Sequence, residues 1–180
     1  MRAALARRAH RASHLVRRFF GTLWPSGPRP GEERWVESLL RPGELALWRA
    51  MPAPDRRHAA AVARRVEAGA GGAAGADLLA AALLHDVGKA GAGLGAFGRA
   101  AATVTGALAS RDRVGAWGAA GGWRGRFFRY LRHDQVGAEL LARAGGRDMA
   151  VSWAACHHRR PDAWTVPRQV GELLKAADDD

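Results

Sequence analysis

Residues 77–89 read Asp77-Leu78-Leu79-Ala80-Ala81-Ala82-Leu83-Leu84-His85-Asp86-Val87-Gly88-Lys89. From Leu78 to Leu84 every position is apolar, so the segment has no polar face to turn to water and predicts a helix in the centre of a core. Asp86 at its exit is then costly. A carboxylate removed from water without a partner either carries a penalty of several kcal/mol or neutralises itself through its pKa. A bound cation removes the difficulty, and the imidazole of His85 beside it is a ligand of the kind such a cation takes.

Working outward, the pattern is helical throughout. Trp35, Val36, Leu39 and Leu40 have helical spacing from about Glu32, Pro42-Gly43 interrupts it, and Leu45, Leu47, Trp48 and Met51 suggest a second short helix stopped by Pro52 and Pro54. Asp55 is placed to N-cap a third, running through His58, Val62 and Val66 to the glycine run from Gly69 to Gly75. After the central helix, one helix is expected around Leu94 to Ala109. A Gly- and Trp-containing stretch from Gly115 to Gly125 follows, which reads as an insertion or a lid. Further helices are expected over Phe127 to Ala144, Met149 to His157 and Pro167 to Ala177. No alternating run of strand type occurs, so the expected fold class is all-α. Gly93, Gly95 and Gly98 spell a Gly-x-Gly-x-x-Gly, but no strand precedes them and the dinucleotide reading fails.

The chain has 180 residues, 48% of them hydrophobic, enough for one real core. Its formal charge of +11 is unevenly placed. Residues 1–30 hold seven arginines and no acid, and Trp24 to Gly31, with three prolines and two glycines, reads as a linker. The expected organisation is therefore a basic arm and linker over residues 1–31 and a folded domain over 32–180. The arm is suited to an anionic partner, RNA or a lipid surface, and equally to plain solvation as a basic helix. Cys156 is the only cysteine, which excludes an intrachain disulfide and a Cys-rich zinc site and makes the reducing cytoplasm the expected compartment. No uninterrupted apolar stretch is long enough to span a bilayer.

Seven histidines are present, and outside the arm they are His58, His85, His133, His157 and His158. Each lies on or at the end of an expected helix. Imidazoles and carboxylates from several helices suit zinc, iron, manganese or nickel, and helical bundles build such sites between facing helices.

His58, the doublet His85-Asp86 and Asp178 in Leu173-Leu174-Lys175-Ala176-Ala177-Asp178 together resemble the H…HD…D signature of the HD superfamily of metal-dependent phosphohydrolases. The resemblance covers about Asp55 to Asp178. His133-Asp134-Gln135-Val136-Gly137 and Ala154-Ala155-Cys156-His157-His158 are further similar to the third-histidine and double-histidine segments of the branch that includes the HD-GYP cyclic-dinucleotide phosphodiesterases. The residues after His158 are Arg159-Arg160-Pro161-Asp162, without Gly-Tyr-Pro, so cyclic-di-GMP is not the substrate expected.

This resemblance implies an HD-type helical bundle with its metal site between the central helices. It implies one or two divalent ions, from among Mn, Fe, Zn, Co, Ni and Mg. His58, His85, Asp86 and Asp178 would hold the first, and Asp86 would bridge to a second held by His133, His157 and His158, with the choice between the two adjacent histidines open. The reaction implied is hydrolysis, by metal-activated hydroxide, of a phosphate ester on a nucleotide or related small phosphorylated molecule, with Asp86 and Lys89 as catalytic residues and Lys89, Arg159 and Arg160 near the substrate phosphate. Two rival readings are a catalytically silent HD domain that senses a nucleotide, and an accessory protein working through its Arg-rich arm at RNA or a membrane surface.

Overall fold

The computed structural model describes residues 26–108, 117–118 and 121–179. Most of the basic arm and part of the Gly115 to Gly125 stretch lie outside them. Among the described residues the protein is all helical, with no strand: α1 (Pro30–Leu39), α2 (Pro42–Ala50), α3 (Ala53–Gly69), α4 (Ala76–Leu84), α5 (Ala96–Leu108), α6 (Gly122–Leu131), α7 (His133–Arg143), α8 (Asp148–Cys156) and α9 (Arg168–Asp179). Two 3₁₀ turns, Val87–Ala92 and Pro161–Ala163, join α4 to α5 and α8 to α9. No helix among the described residues is long and apolar enough to cross a membrane.

α4 occupies the centre, as its composition requires. Leu79 through Leu84 are all buried, and α3 and α8 pack against the helix, with α2 and α1 closing further sides. α7 lies across α8 and the first 3₁₀ turn, while α9 lies along α3. Trp48 and Trp153 fill the largest gaps in this core. Trp164 seals the end between α8 and α9, its ring 5.5 Å from that of Trp153, and it fits there because residue 171 is glycine: a Cβ would come within 2.3 Å of the indole.

Several boundaries depart from the sequence reading, for identifiable reasons. Pro30 and Pro42 begin helices instead of ending or interrupting them, because a proline in the first turn has no N–H to lose and its φ already suits a helix. Asp55 does not cap α3. Pro52 stands at the cap, Pro54 lies within the first turn, and Asp55 is buried there with its carboxylate 2.6 Å from the guanidinium of Arg99 on α5. Asp77 falls inside the first turn of α4, and α9 runs on through Asp178. The largest difference is at Arg132. The single helix expected over Phe127 to Ala144 is two, α6 and α7, and Arg132 between them has φ −114° and ψ 23°. The break places His133 at the very start of a helix.

Candidate metal centre

The chemistry-bearing side chains converge on one place, all but His58 from helix ends. His58 comes from α3 and Asp178 from the last turn of α9, with His58 Nε2 3.1 Å from Asp178 Oδ1. His85 and Asp86 follow α4 directly, His133 opens α7, and His157 and His158 follow α8. Side-chain ligand atoms of His58, His85 and Asp178 lie within 4.8 Å of one another, and so do those of Asp86, His133, His157 and His158. Each group has the composition and closeness to hold a metal ion. All seven metal ligands named from the sequence are therefore brought together, including both members of the adjacent histidine pair.

Three of the histidines are oriented by the same local device. The Nδ1 of His85 bonds the carbonyl of Ala82 at 2.9 Å, that of His133 the carbonyl of Tyr130 at 2.7 Å, and that of His157 the carbonyl of Ala154 at 3.0 Å. A carbonyl only accepts, so each Nδ1 carries a proton and donates it. In the neutral ring the lone pair is then on Nε2, aimed away from the helix and into the cluster.

Those of His85 and His157 meet carboxylate oxygens, while that of His133 lies between Asp86 and the Nε2 of His158. His85 Nε2 lies 3.4 Å from Asp86 Oδ2 and 3.6 Å from Asp178 Oδ1. On the other side, His133 Nε2 and His157 Nε2 lie 3.3 Å and 3.5 Å from Asp86 Oδ1. His85 Nε2 and His157 Nε2 are buried and make no hydrogen bond. Acceptors converging on acceptors out of contact with water is an arrangement that needs positive charge between them.

A proton answers only part of that need. Burial by itself lowers the pKa of His85, but the Asp86 and Asp178 carboxylates outweigh it and raise the imidazole to about 10. His157 moves the other way, lowered chiefly by burial, with His85 and His133 adding to it. His158, whose Nε2 lies 2.9 Å from His133 Nε2, is lowered as well, by loss of hydration around its ring and then by His157 and His133. Burial pushes Asp86 up, yet Lys89 and His85 hold its carboxyl well below the usual range. The pocket thus wants a carboxylate charged and several imidazoles neutral, which is the protonation state of a metal-ligand set. The residues fit a divalent cation.

Lys89 Nζ bonds Asp86 Oδ2, so it belongs to this cluster. Arg159 and Arg160 stand exposed on the turn after His158. Arg160 reaches Asp162 at 3.6 Å, and the carbonyl of Arg159 accepts the Trp164 indole N–H at 3.1 Å.

Of the residues that set the spacing, Gly88 fits on sequence alone either a close backbone approach at the helix exit or a plain helix stop, and Gly137 and Arg65 were missed. Gly88 lies against the first turn of α7, where a Cβ would come within 2.0 Å of the His133 carbonyl oxygen and 2.6 Å of the Gly137 nitrogen. Glycine here is required for backbone approach, since α4 has already ended at Leu84. Gly137, four residues after His133, offers the complementary flat surface, with Gly88 N 3.1 Å from where its Cβ would be. Arg65 on α3 donates from Nε to the carbonyl of Ala177 at 2.7 Å, tying the helix that bears His58 to the residue before Asp178. A glycine in an His-Asp-x-Gly run was a visible signal. Arg65 carried none.

The comparison with known families agrees with this construction. A family model for the HD domain matches residues 57–179, which span every residue of both groups. No curated protein and no solved structure matches the chain. With two thirds of its length matched and its histidines and aspartates gathered into two groups, the chain belongs to the HD domain family, the HD superfamily of metal-dependent phosphohydrolases.

Proposed function

We propose that this protein hydrolyses a phosphate ester of a nucleotide or a related small phosphorylated molecule. His58, His85 and Asp178 would hold one divalent ion and His133, His157 and His158 a second, with Asp86 shared between them. The observation that carries this reading is the split of the Asp86 carboxylate: Oδ2 faces His85 and Oδ1 faces His133 and His157. A carboxylate with one oxygen toward each group is what two neighbouring cations share.

Divalent ions bound there supply a water acidic enough to ionise near neutral pH and counter-charge for phosphoryl oxygens. The protein's own contribution is orientation. The Ala82, Tyr130 and Ala154 carbonyls hold three imidazoles with Nε2 turned toward the cluster, so the rings are already oriented for binding. Lys89, on Asp86 and part-buried, adds a fixed positive charge at the site of an incoming phosphate. The run Arg159-Arg160-Pro161-Asp162 after His158 gives no support to cyclic-di-GMP as the substrate.

The test is to strip the protein, reload it with Mn²⁺, Fe²⁺ or Co²⁺, count the bound ions, and screen nucleotides, cyclic dinucleotides and sugar phosphates for release of phosphate or nucleoside. Two ions per chain with turnover that Asp86→Ala abolishes is the expected result. Two ions without turnover of any ester would replace this reading by that of a silent sensor.

A further inference from the structure

Outside the metal centre, the chain's positive charge and its exposed apolar side chains coincide. Residues 90–133 contain seven arginines against a single acid, Asp112. With the seven arginines and no acids of residues 1–30, these two segments hold more than the whole excess of +11, and the rest of the chain is slightly acidic.

The exposed large apolar side chains among the described residues are Phe97 (75% exposed), Val104 (59%) and Trp123 (55%). All belong to α5 and α6, which pack together. Phe97, Ala101 and Val104 follow one another at i, i+4 and i+7, so they form one stripe on the outer side of α5. Arg99 and the buried Ala102 take the inner side, where Arg99 meets Asp55 at 2.6 Å. On α6, Trp123 meets Phe127 edge-on at 5.4 Å and carries the Arg124 guanidinium 5.2 Å from its ring. Arg126, Arg129 and Arg132 on and just after the same helix are exposed as well.

We propose that the α5–α6 face binds an anionic lipid surface. Exposed apolar side chains on α5 and α6 together with the exposed arginines of α6 are the composition of an interfacial segment, whose apolar residues enter the headgroup boundary while the cations meet anionic lipids. The charge argues against other occupants. The chain's own arm and a second copy of this face are both arginine-rich, and either would bring like charges together. The stripe gives little for nucleic acid to stack on, because of Phe97, Ala101 and Val104 along α5 only Phe97 offers a ring. This proposal does not depend on the hydrolase reading.

Flotation of the full chain with vesicles tests it. Binding to vesicles containing phosphatidylglycerol, weakened by salt, and little binding to phosphatidylcholine alone are expected. A variant carrying Phe97→Ser, Val104→Ser and Trp123→Ser keeps every arginine, and its partitioning should fall about tenfold or more. Val104→Asp alone, at an exposed position that leaves the fold undisturbed, should weaken binding in the same direction. Three results would overturn the proposal: no flotation with anionic vesicles, undiminished flotation of both variants, or a single-stranded RNA that binds more tightly and displaces the vesicles.

Discussion

Glu44 and Asp86 are both carboxylates withdrawn from water, yet their surroundings are built on opposite terms. Glu44 is fully enclosed and fully answered. Its oxygens accept the Arg41 N–H at 2.9 Å, the Arg147 N–H at 2.8 Å and the Arg147 guanidinium, which also reaches the Leu39 carbonyl at 3.0 Å and Asp77 at 2.9 Å. That knot joins α1, α2 and α4 to the turn before α8. Around Asp86 the neighbours are mostly imidazole nitrogens presenting lone pairs, and two of those nitrogens have no hydrogen bond. A satisfied buried network is finished and serves the fold. One that gathers acceptors and leaves them facing each other is arranged for something that arrives from outside.

This contrast is broken most directly by exchanging the expected phenotypes. Asp86→Ala should strip metal from the shared position and lower phosphate-ester hydrolysis by about a thousandfold or more, read by metal analysis and a turnover assay. Its circular dichroism should remain that of the wild type. Glu44→Ala should do the reverse. It removes the one buried carboxylate from the Arg147 guanidinium, which keeps only the Leu39 carbonyl and the exposed Asp77, a change that costs up to about 3–5 kcal/mol and lowers the Tm by roughly 10 °C. The folded fraction should still bind the wild-type number of ions. If Glu44→Ala lost metal while keeping its Tm, the two clusters would not be separate in function.

The two clusters also differ in how far they could be read before the structure. The candidate metal centre was legible because ligation restricts residue type: His58, His85-Asp86, His133 and His157-His158 lie on or at the ends of expected helices, and Asp178 was picked from its acidic triplet by the family resemblance. The central helix was legible because nothing between Leu78 and Leu84 can face water. The Glu44 knot was not. Glu44 and Arg147 are 103 positions apart, and each looks like an ordinary charge at the start of a helix. The break at Arg132 was equally hidden, since neither Gly nor Pro marks it and the helical period of Phe127 to Ala144 runs straight through. Asp55 looked like a cap because caps are local, whereas its partner Arg99 lies 44 residues away.

A smaller effect sharpens the internal structure of the open cluster. Gly88→Ala forces a methyl against the His133 carbonyl and the Gly137 nitrogen, and backbone must move to admit it. The displacement falls between Asp86 and His133, both in the second group. Affinity there should drop about 10- to 100-fold, the range seen when supporting groups of a metal site are disturbed. The group of His58, His85 and Asp178 should keep most of its affinity, so a titration with Co²⁺ followed by absorbance should separate into two steps. A single step with both affinities reduced together would mean that the two groups act as one site.

Arg65→Gln probes the other group more gently, and its logic depends on where the hydrogen bond lands. The guanidinium donates to the carbonyl of Ala177, which precedes Asp178, so it fixes the last turn of α9 against α3 without touching a ligand atom. Helix ends fray because their final carbonyls lack partners within the helix. Without Arg65 the turn that carries Asp178 loosens relative to His58, and that 3.1 Å contact is no longer held from both sides. A charged hydrogen bond of this type contributes about 1.5–3 kcal/mol at most, and part of that is recovered when water replaces the guanidinium. Metal affinity in the first group should therefore fall by about tenfold or less, with the second group unchanged and the Tm within a few degrees of wild type. Arg65→Lys, which restores a cation but not the planar donor, should recover only part of the loss. An equal loss in both groups would place the role of Arg65 in the general stability of the bundle and not in the positioning of Asp178.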